Sequence, residues 1–148
     1  MTSGWVDENK GDATAAEAFE VLKQEPRAQL VDVRTQAEWS FVGVPDIAGL
    51  GKDVILAQWQ HYPDMEILPD FVANLERELQ RRGTTQEDTV LFLCRSGARS
   101  LAAAQAMIAA GWRKSRNIAG GFEGRLNAER HRGSVDGWKS AGLPWTQT

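Results

Sequence analysis

Apolar and polar positions along this chain follow two periods, and each change of period marks a change of element. Thr14-Ala15-Ala16-Glu17 has the form of a capping box, and Ala18, Phe19, Val21 and Leu22 follow it at helical spacing. The pattern predicts a first helix that stops near Pro26. Residues 29–33 (QLVDV) read as a short strand. A second capping box, Thr35-Gln36-Ala37-Glu38, opens a brief helical turn carrying Trp39. Residues 42–52 are rich in glycine and proline and read as loop, with a strand following at 54–57. Residues 58–68 (QWQHYPDMEIL) are an aromatic connection without clear period. Pro69 suits the first position of the next helix; Phe71, Val72, Leu75 and Leu79 form its buried stripe and Gly83 ends it.

The rest of the chain is organised around residues 89–111. Val90-Leu91-Phe92-Leu93 has the length of a buried strand and runs into Cys94. The loop Arg95-Ser96-Gly97-Ala98-Arg99 leads to an alanine-rich helix that Gly111 terminates at its C′ position. Beyond it lie a short strand at 116–119, a tight Gly120-Gly121 turn, a charged irregular stretch at 122–137 and a last helical turn at 138–141. Gly142-Leu143-Pro144-Trp145 closes the domain, while residues 1–12 form a polar tail anchored by Trp5. Strands alternating with helices predict a largely parallel sheet covered on both faces.

Composition narrows the class. A chain of 148 residues, 42% hydrophobic and 25% charged, suits one soluble domain with a proper core. No apolar run reaches the roughly 18 residues a membrane span needs, and the acidic, polar N-terminus does not resemble a signal peptide. A single cysteine excludes an internal disulfide and any multi-cysteine zinc site. The expectation is a reducing, cytoplasmic setting with no cofactor and no metal. His61 and His131, the only histidines, read as surface residues without metal-ligand spacing.

The net charge of −3 hides an asymmetry. Residues 1–90 hold 8 Lys/Arg against 17 Asp/Glu; residues 91–148 hold 9 against 3. The basic part contains Cys94 and would attract anionic substrates. No basic cluster interleaves with aromatics, so neither nucleic acid nor membrane is an expected partner.

The candidate chemistry sits at Cys94. The strand delivers a thiol to a loop whose backbone N–H groups continue into a helix N-terminus, where an anion is favoured by about 0.3–1 kcal/mol. Arg95 and Arg99 add two permanent cations, and all three effects favour thiolate over thiol. A lone cysteine closing an apolar strand is ordinarily a small core residue. The two arginines and the glycine that follow it argue for an anion cradle instead.

These pieces, in order, resemble the rhodanese-like (single-domain sulfurtransferase) family. Asp32-Val33-Arg34 with Glu38-Trp39 comes first, then Cys94-Arg95-Ser96-Gly97-Ala98-Arg99-Ser100, then Gly120-Gly121, then Trp138 with Gly142-Leu143-Pro144. The match spans residues 14–145, and its specificity lies in the order of all four parts. The resemblance implies an α/β, three-layer fold with a central, mainly parallel β-sheet and helices on both faces. It places one such domain over 13–148, with inserted segments near 49–68 and 122–137. It also implies that Cys94 carries sulfane sulfur as a persulfide, taken from a small anionic donor such as thiosulfate and passed to a thiol, cyanide or protein acceptor. Arg95, Ser96, Gly97, Ala98, Arg99 and Ser100 would bind the anion, while Asp32, Arg34 and Glu38 would support local geometry through ion pairs.

Two other readings compete. Phosphatase and arsenate reductase loops place their gripping arginine six positions after the cysteine; here that position is Ser100, and Arg99 stands one earlier. A non-catalytic docking module is the other, and inactive members of the family typically lack the cysteine. The Gly-His-Ile common after the Glu-aromatic pair is replaced by Gly43-Val44-Pro45, so that histidine's role is absent. The two inserted segments both follow strand C-termini, where an open parallel sheet binds ligands. Trp59, His61 and Tyr62 from one, and Phe122, Arg125, Arg130 and His131 from the other, are therefore expected to rim the Cys94 pocket.

Overall fold

The computed structural model describes residues 12–61 and 64–147. In chain order its elements are α1 (Ala15–Gln24), β1 (Gln29–Asp32), α2 (Gln36–Val42), β2 (Val44–Pro45), a 3-10 turn (Ala48–Leu50) and β3 (Ile55–Leu56). There follow β4 (Gln60–His61), β5 (Glu66–Ile67), α3 (Phe71–Arg81), β6 (Val90–Leu93), α4 (Ala98–Ala109), β7 (Ser115–Asn117) and β8 (Trp145–Thr146). The main sheet has four strands in the order β3-β1-β6-β7, every pairing parallel. Val31 lies beside Phe92, and Phe92 beside Asn117, so the C-terminal ends of the central strands are level.

The period-2 alternation of β6 explains the layers. Val90, Phe92 and then Cys94 turn to the side where Phe71, Leu75 and Leu79 of α3 and Ala103, Ala104 and Met107 of α4 pack. Leu91 and Leu93 turn to the side covered by Ala15, Ala18 and Leu22 of α1, with Ile118, Phe122 and Trp138. A strand buried on both faces carries no polar alternation, which is why residues 90–93 are uniformly apolar. The result is a three-layer α/β fold.

Local signals decide the helix starts. Thr14 and Thr35 each accept from the backbone N–H three residues on, and Glu17 and Glu38 close the boxes in return. The Thr35 box starts a helix of 7 residues rather than a single turn. Pro69 lies before α3, which has Asp70 at its N-cap and Phe71 as its first residue. Gly111, at φ 105°, follows the C-cap of α4 as its spacing predicts.

Two stretches that read as irregular, residues 42–52 and 58–68, hold pairings between residues too short in run to show a period. β2 pairs antiparallel with β8, tying the Gly-Pro loop to the end of the domain. Residues 58–68 contain the β4–β5 hairpin. The last parallel strand sits at 115–117, and Ile118 bridges back to Ala13. Trp5 and residues 1–11 lie outside the described residues, as does Tyr62. Among the described residues no helix is long and apolar enough to cross a membrane.

Candidate active site

Cys94 stands one residue past the C-terminus of β6 and is 1% exposed. Its Sγ accepts from the backbone N–H of Gly97 at 3.1 Å and lies 3.2 Å from Ser100 Oγ. Gly97 holds φ 123°, a conformation that favours glycine, and serves as the N-cap of α4. No side chain caps that helix, so its first-turn N–H groups remain available to an anion.

Ser100 is fully buried and contested. Its hydroxyl lies 2.5 Å from Asn117 Oδ1 and 3.3 Å from the Gly97 carbonyl, besides the sulfur. A hydroxyl donates one proton, so only one of these three acceptors receives it at a time. Asn117 ends β7, the strand beside β6. Nothing in the spacing from Cys94 to Asn117 announces this link. It follows from the parallel register.

The Gly120-Gly121 turn is a clamp on the base of the loop. The Phe122 N–H donates to the Cys94 carbonyl at 2.7 Å, and the N–H groups of Glu123 and Gly124 donate to that of Arg95 at 3.0 and 3.1 Å. Any Cβ on Gly121 would collide with the Cys94 carbonyl oxygen, so the close approach requires glycine.

Asp32 and Arg34 lie beneath this loop, both 0% exposed. Arg34 Nη2 donates to Asp32 Oδ2 at 2.7 Å and to the Gly43 carbonyl at 2.7 Å, and its guanidinium covers the Phe122 ring at 4.3 Å. Neither side chain can touch a ligand, and their work is to hold β1, the α2 terminus and the Phe122 turn together.

Arg99 differs from its expected role as a free anion binder. It makes a two-bond fork on Glu38, Nη1 to Oε1 at 2.7 Å and Nη2 to Oε2 at 2.9 Å. Burial by itself would push the Glu38 carboxyl up; the Arg99 fork and the Thr35 N–H and hydroxyl outweigh it and hold the carboxyl at about 2. Arg95, by contrast, is exposed and makes no ion pair among the described residues. Among the described residues its charge is thus left unpaired, unlike that of Arg99.

A groove of about 660 Å³ runs beside the loop. Arg95 and Arg99 line it from the loop, Ala37, Glu38 and Phe41 from α2, Met65 from the β4–β5 hairpin, and Glu123 and Arg132 from the second inserted segment. Both segments therefore reach this end of the sheet, but mainly through residues other than those expected. Trp59 packs edge-on against Phe71 at 5.0 Å, and Phe122 is fully buried, so both belong to the core. His61 lines a second groove with Gln36, Ser40, Phe41 and Gln58. Arg125 pairs with Asp136, and neither Arg130 nor His131 lines the groove. Phe41 was legible from the sequence: three residues after Glu38 on a helix, it shares that residue's face. Met65 and Arg132 carry no such signal.

Among the described residues no cluster of three His, Cys, Asp or Glu is arranged to hold a metal. The arrangement defines a class: an α/β protein whose thiol, at the C-terminal end of a parallel strand, is held in an amide-lined loop at a helix start. Residues 10–148 match the family described as the STR4 middle domain, and the chain belongs to that family. The crystal structure of Rv0390 from Mycobacterium tuberculosis is 45% identical, with a TM-score of 0.81 over 93% of this chain and 98% of that one. An uncharacterized protein of Rickettsia conorii, RC0915, is 35% identical over 131 residues, covering 88% of this chain and 93% of its own. Rhodanese-like relatives are more distant. The chloroplastic thylakoid rhodanese-like protein of Oryza sativa subsp. indica is 29% identical over 92% of this chain, which spans 25% of that protein. The polysulfide-sulfur transferase homodimer of Wolinella succinogenes shares the fold at 22% identity, with a TM-score of 0.59 over 93% of this chain and 78% of that one.

Proposed function

We propose that this protein is a sulfurtransferase working through a Cys94 persulfide. The Cys94 thiolate attacks the outer sulfur of a donor such as thiosulfate; the new S–S bond forms as the old one breaks, and sulfite leaves with the electron pair. A thiol or cyanide then attacks the outer sulfur and regenerates the Cys94 thiolate. The first step exchanges one S–S bond for another, and the second exchanges the persulfide S–S bond for a new S–S bond on a thiol or a C–S bond on cyanide; neither needs an external oxidant or reductant. Ser96, Gly97, Ala98 and Ser100 contribute loop amides and hydroxyls toward the persulfide anion, and Arg95 attracts the anionic donor.

The observation that carries this reading is the setting of Sγ, 3.1 Å from the Gly97 N–H at the uncapped start of α4. The shared fold with a polysulfide-sulfur transferase supports it. A reducing compartment such as the cytoplasm goes with it, because oxidants would cap the only thiol. Incubating the reduced protein with thiosulfate should release sulfite and add the mass of one sulfur atom at Cys94. If neither appears, the sulfurtransferase reading fails. A parallel assay with p-nitrophenyl phosphate should show no hydrolysis, since Arg99 is engaged by Glu38 instead of facing a tetrahedral anion.

A further inference from the structure

The first carbonyls of the cysteine loop are held by a second row of backbone, and that row is itself held from behind. On its near side, the N–H groups of Phe122, Glu123 and Gly124 take the carbonyls of Cys94 and Arg95. On its far side, each carbonyl of residues 121–124 accepts a donor from later in the chain. Gly121 receives the Trp138 N–H at 2.8 Å, Phe122 the Lys139 N–H at 3.1 Å and Glu123 the Gly133 N–H at 2.7 Å. The Gly124 carbonyl receives Arg132 Nη1 at 2.7 Å. The second inserted segment is thus a brace for the loop as well as a wall of the groove.

Asp136 closes the open end of this row. Its Oδ1 accepts at 2.8 Å from the Arg125 N–H, the one that follows those reaching the loop, and its Oδ2 accepts from Arg125 Nε at 3.0 Å. Gly124 makes room for it, since a Cβ there would collide with the Asp136 carbonyl oxygen and carboxylate. The Arg125 side chain is 71% exposed, so the ion pair itself adds little and the bond to the backbone N–H carries the restraint.

A trans peptide unit points its C=O and its N–H in opposite directions. Fixing the Cys94 carbonyl on Phe122 therefore turns the Arg95 N–H away from the brace. Fixing the Arg95 carbonyl on Glu123 and Gly124 turns the Ser96 N–H away in the same manner. Among the described residues no acceptor takes either of these two N–H groups.

We propose that Asp136 is a positioning residue for the thiol. By fixing Arg125 it keeps the 122–124 row in place, and so keeps the Arg95 and Ser96 N–H groups directed, with that of Gly97, at a charged sulfur on Cys94. Asp136 does not line the groove and acts through the backbone alone. The same donors serve the thiolate and the persulfide anion; the persulfide role rests on the sulfurtransferase reading, and the thiolate role does not.

Iodoacetamide alkylation of Cys94, followed from about pH 6 to about pH 10, tests this. Asp136→Ala should slow the reaction about tenfold at about pH 7, because less of the thiol is ionised, and should match wild type near about pH 10. Asp136→Asn keeps an amide oxygen for the Arg125 N–H and should stay within about threefold of wild type throughout. A merely structural role predicts the opposite direction. Cys94 is 1% exposed, so a loosened loop would admit the reagent and speed alkylation at every pH. Faster or unchanged alkylation in Asp136→Ala overturns the proposal. So does an Asp136→Asn rate as low as that of the alanine variant, which would assign the effect to the Arg125 ion pair. Sulfite release from thiosulfate, measured alongside, should fall by a similar factor in Asp136→Ala. Absence of sulfite from the wild-type protein would remove the sulfurtransferase reading, and the alkylation rates would still decide the role of Asp136.

Discussion

Arg99 closes its fork on Glu38 from the first turn of α4 to the first turn of α2, so the loop's second arginine locks two helix starts together. Its charge is used within the protein. Glu38 also completes the Thr35 capping box, so one carboxylate serves a helix start and an arginine at once. This distinction separates the two arginines that flank the cysteine loop.

Arg95→Ala should raise the KM for thiosulfate several-fold and flatten its dependence on ionic strength, because an exposed attracting charge is gone. Arg99→Ala should act mainly on stability, leaving a half-buried carboxylate without its partner at a cost of about 1–3 kcal/mol, between exposed and buried pairs. Steady-state kinetics and urea melts of both variants check this. Equal KM effects with equal midpoints would mean that both arginines bind the donor.

Glu38 makes a pH dependence. Its carboxyl lies at about 2 when folded, against an ordinary 4.5. A depressed carboxyl contributes stability that is complete above the unfolded value and disappears as pH falls toward the folded one. Glu38→Gln should therefore cost most stability near neutrality, and the gap to wild type should narrow between about pH 4.5 and 2. Glu78 is held at about 2 by Arg81 and Arg82 and adds its own acid dependence in both proteins, which the comparison cancels. Denaturant midpoints across that range test the sign; a gap that widens on acidification would contradict it.

Cys94→Ser should abolish thiosulfate:cyanide transfer, because a serine hydroxyl remains protonated at neutral pH and the chain has no second cysteine. The fold should survive, since oxygen replaces sulfur at a site already lined by donors. Residual activity above a few per cent would rule out the persulfide route.

Elements that bury a continuous stripe or satisfy a helix end locally were legible in the sequence. Residues 90–93 read as a buried strand, and both capping boxes marked helix starts, because each signal sits within a few neighbouring residues. The β2–β8 pair was not legible, since Val44-Pro45 has a reason to be extended only once Trp145 and Thr146 lie beside it. The site divides in the same way. Cys94 and its glycine loop are contiguous, and the Asp32–Arg34 pair is two residues apart. Met65 reaches the groove from the short turn of the β4–β5 hairpin and Arg132 from a long irregular stretch, and neither has a period to read. Trp59 and Phe122 misled because aromatics in such loops pack inward for the area they bury.

The last prediction concerns Asn117, a positioning residue that acts through Ser100. Ser100 has one hydroxyl proton and three acceptors, with Asn117 Oδ1 the nearest at 2.5 Å and Cys94 Sγ at 3.2 Å. A thiolate or persulfide anion at Cys94 competes for that proton. A half-turn of the Asn117 carboxamide would present its NH2 to Ser100 Oγ and release the proton to sulfur, so asparagine can serve both states. Aspartate at 117 would remain an acceptor when ionised, keep the proton, and place a negative charge beside the sulfur. Alanine would remove the competitor altogether. Asn117→Asp should therefore slow iodoacetamide alkylation of Cys94 at neutral pH about tenfold or more, whereas Asn117→Ala should stay within about threefold of wild type despite a greater loss of packing. A purely structural role would predict the opposite order, with the smaller side chain the more harmful. Alkylation of Asn117→Asp at the wild-type rate would show that the Ser100 proton does not govern the reactivity of the thiol.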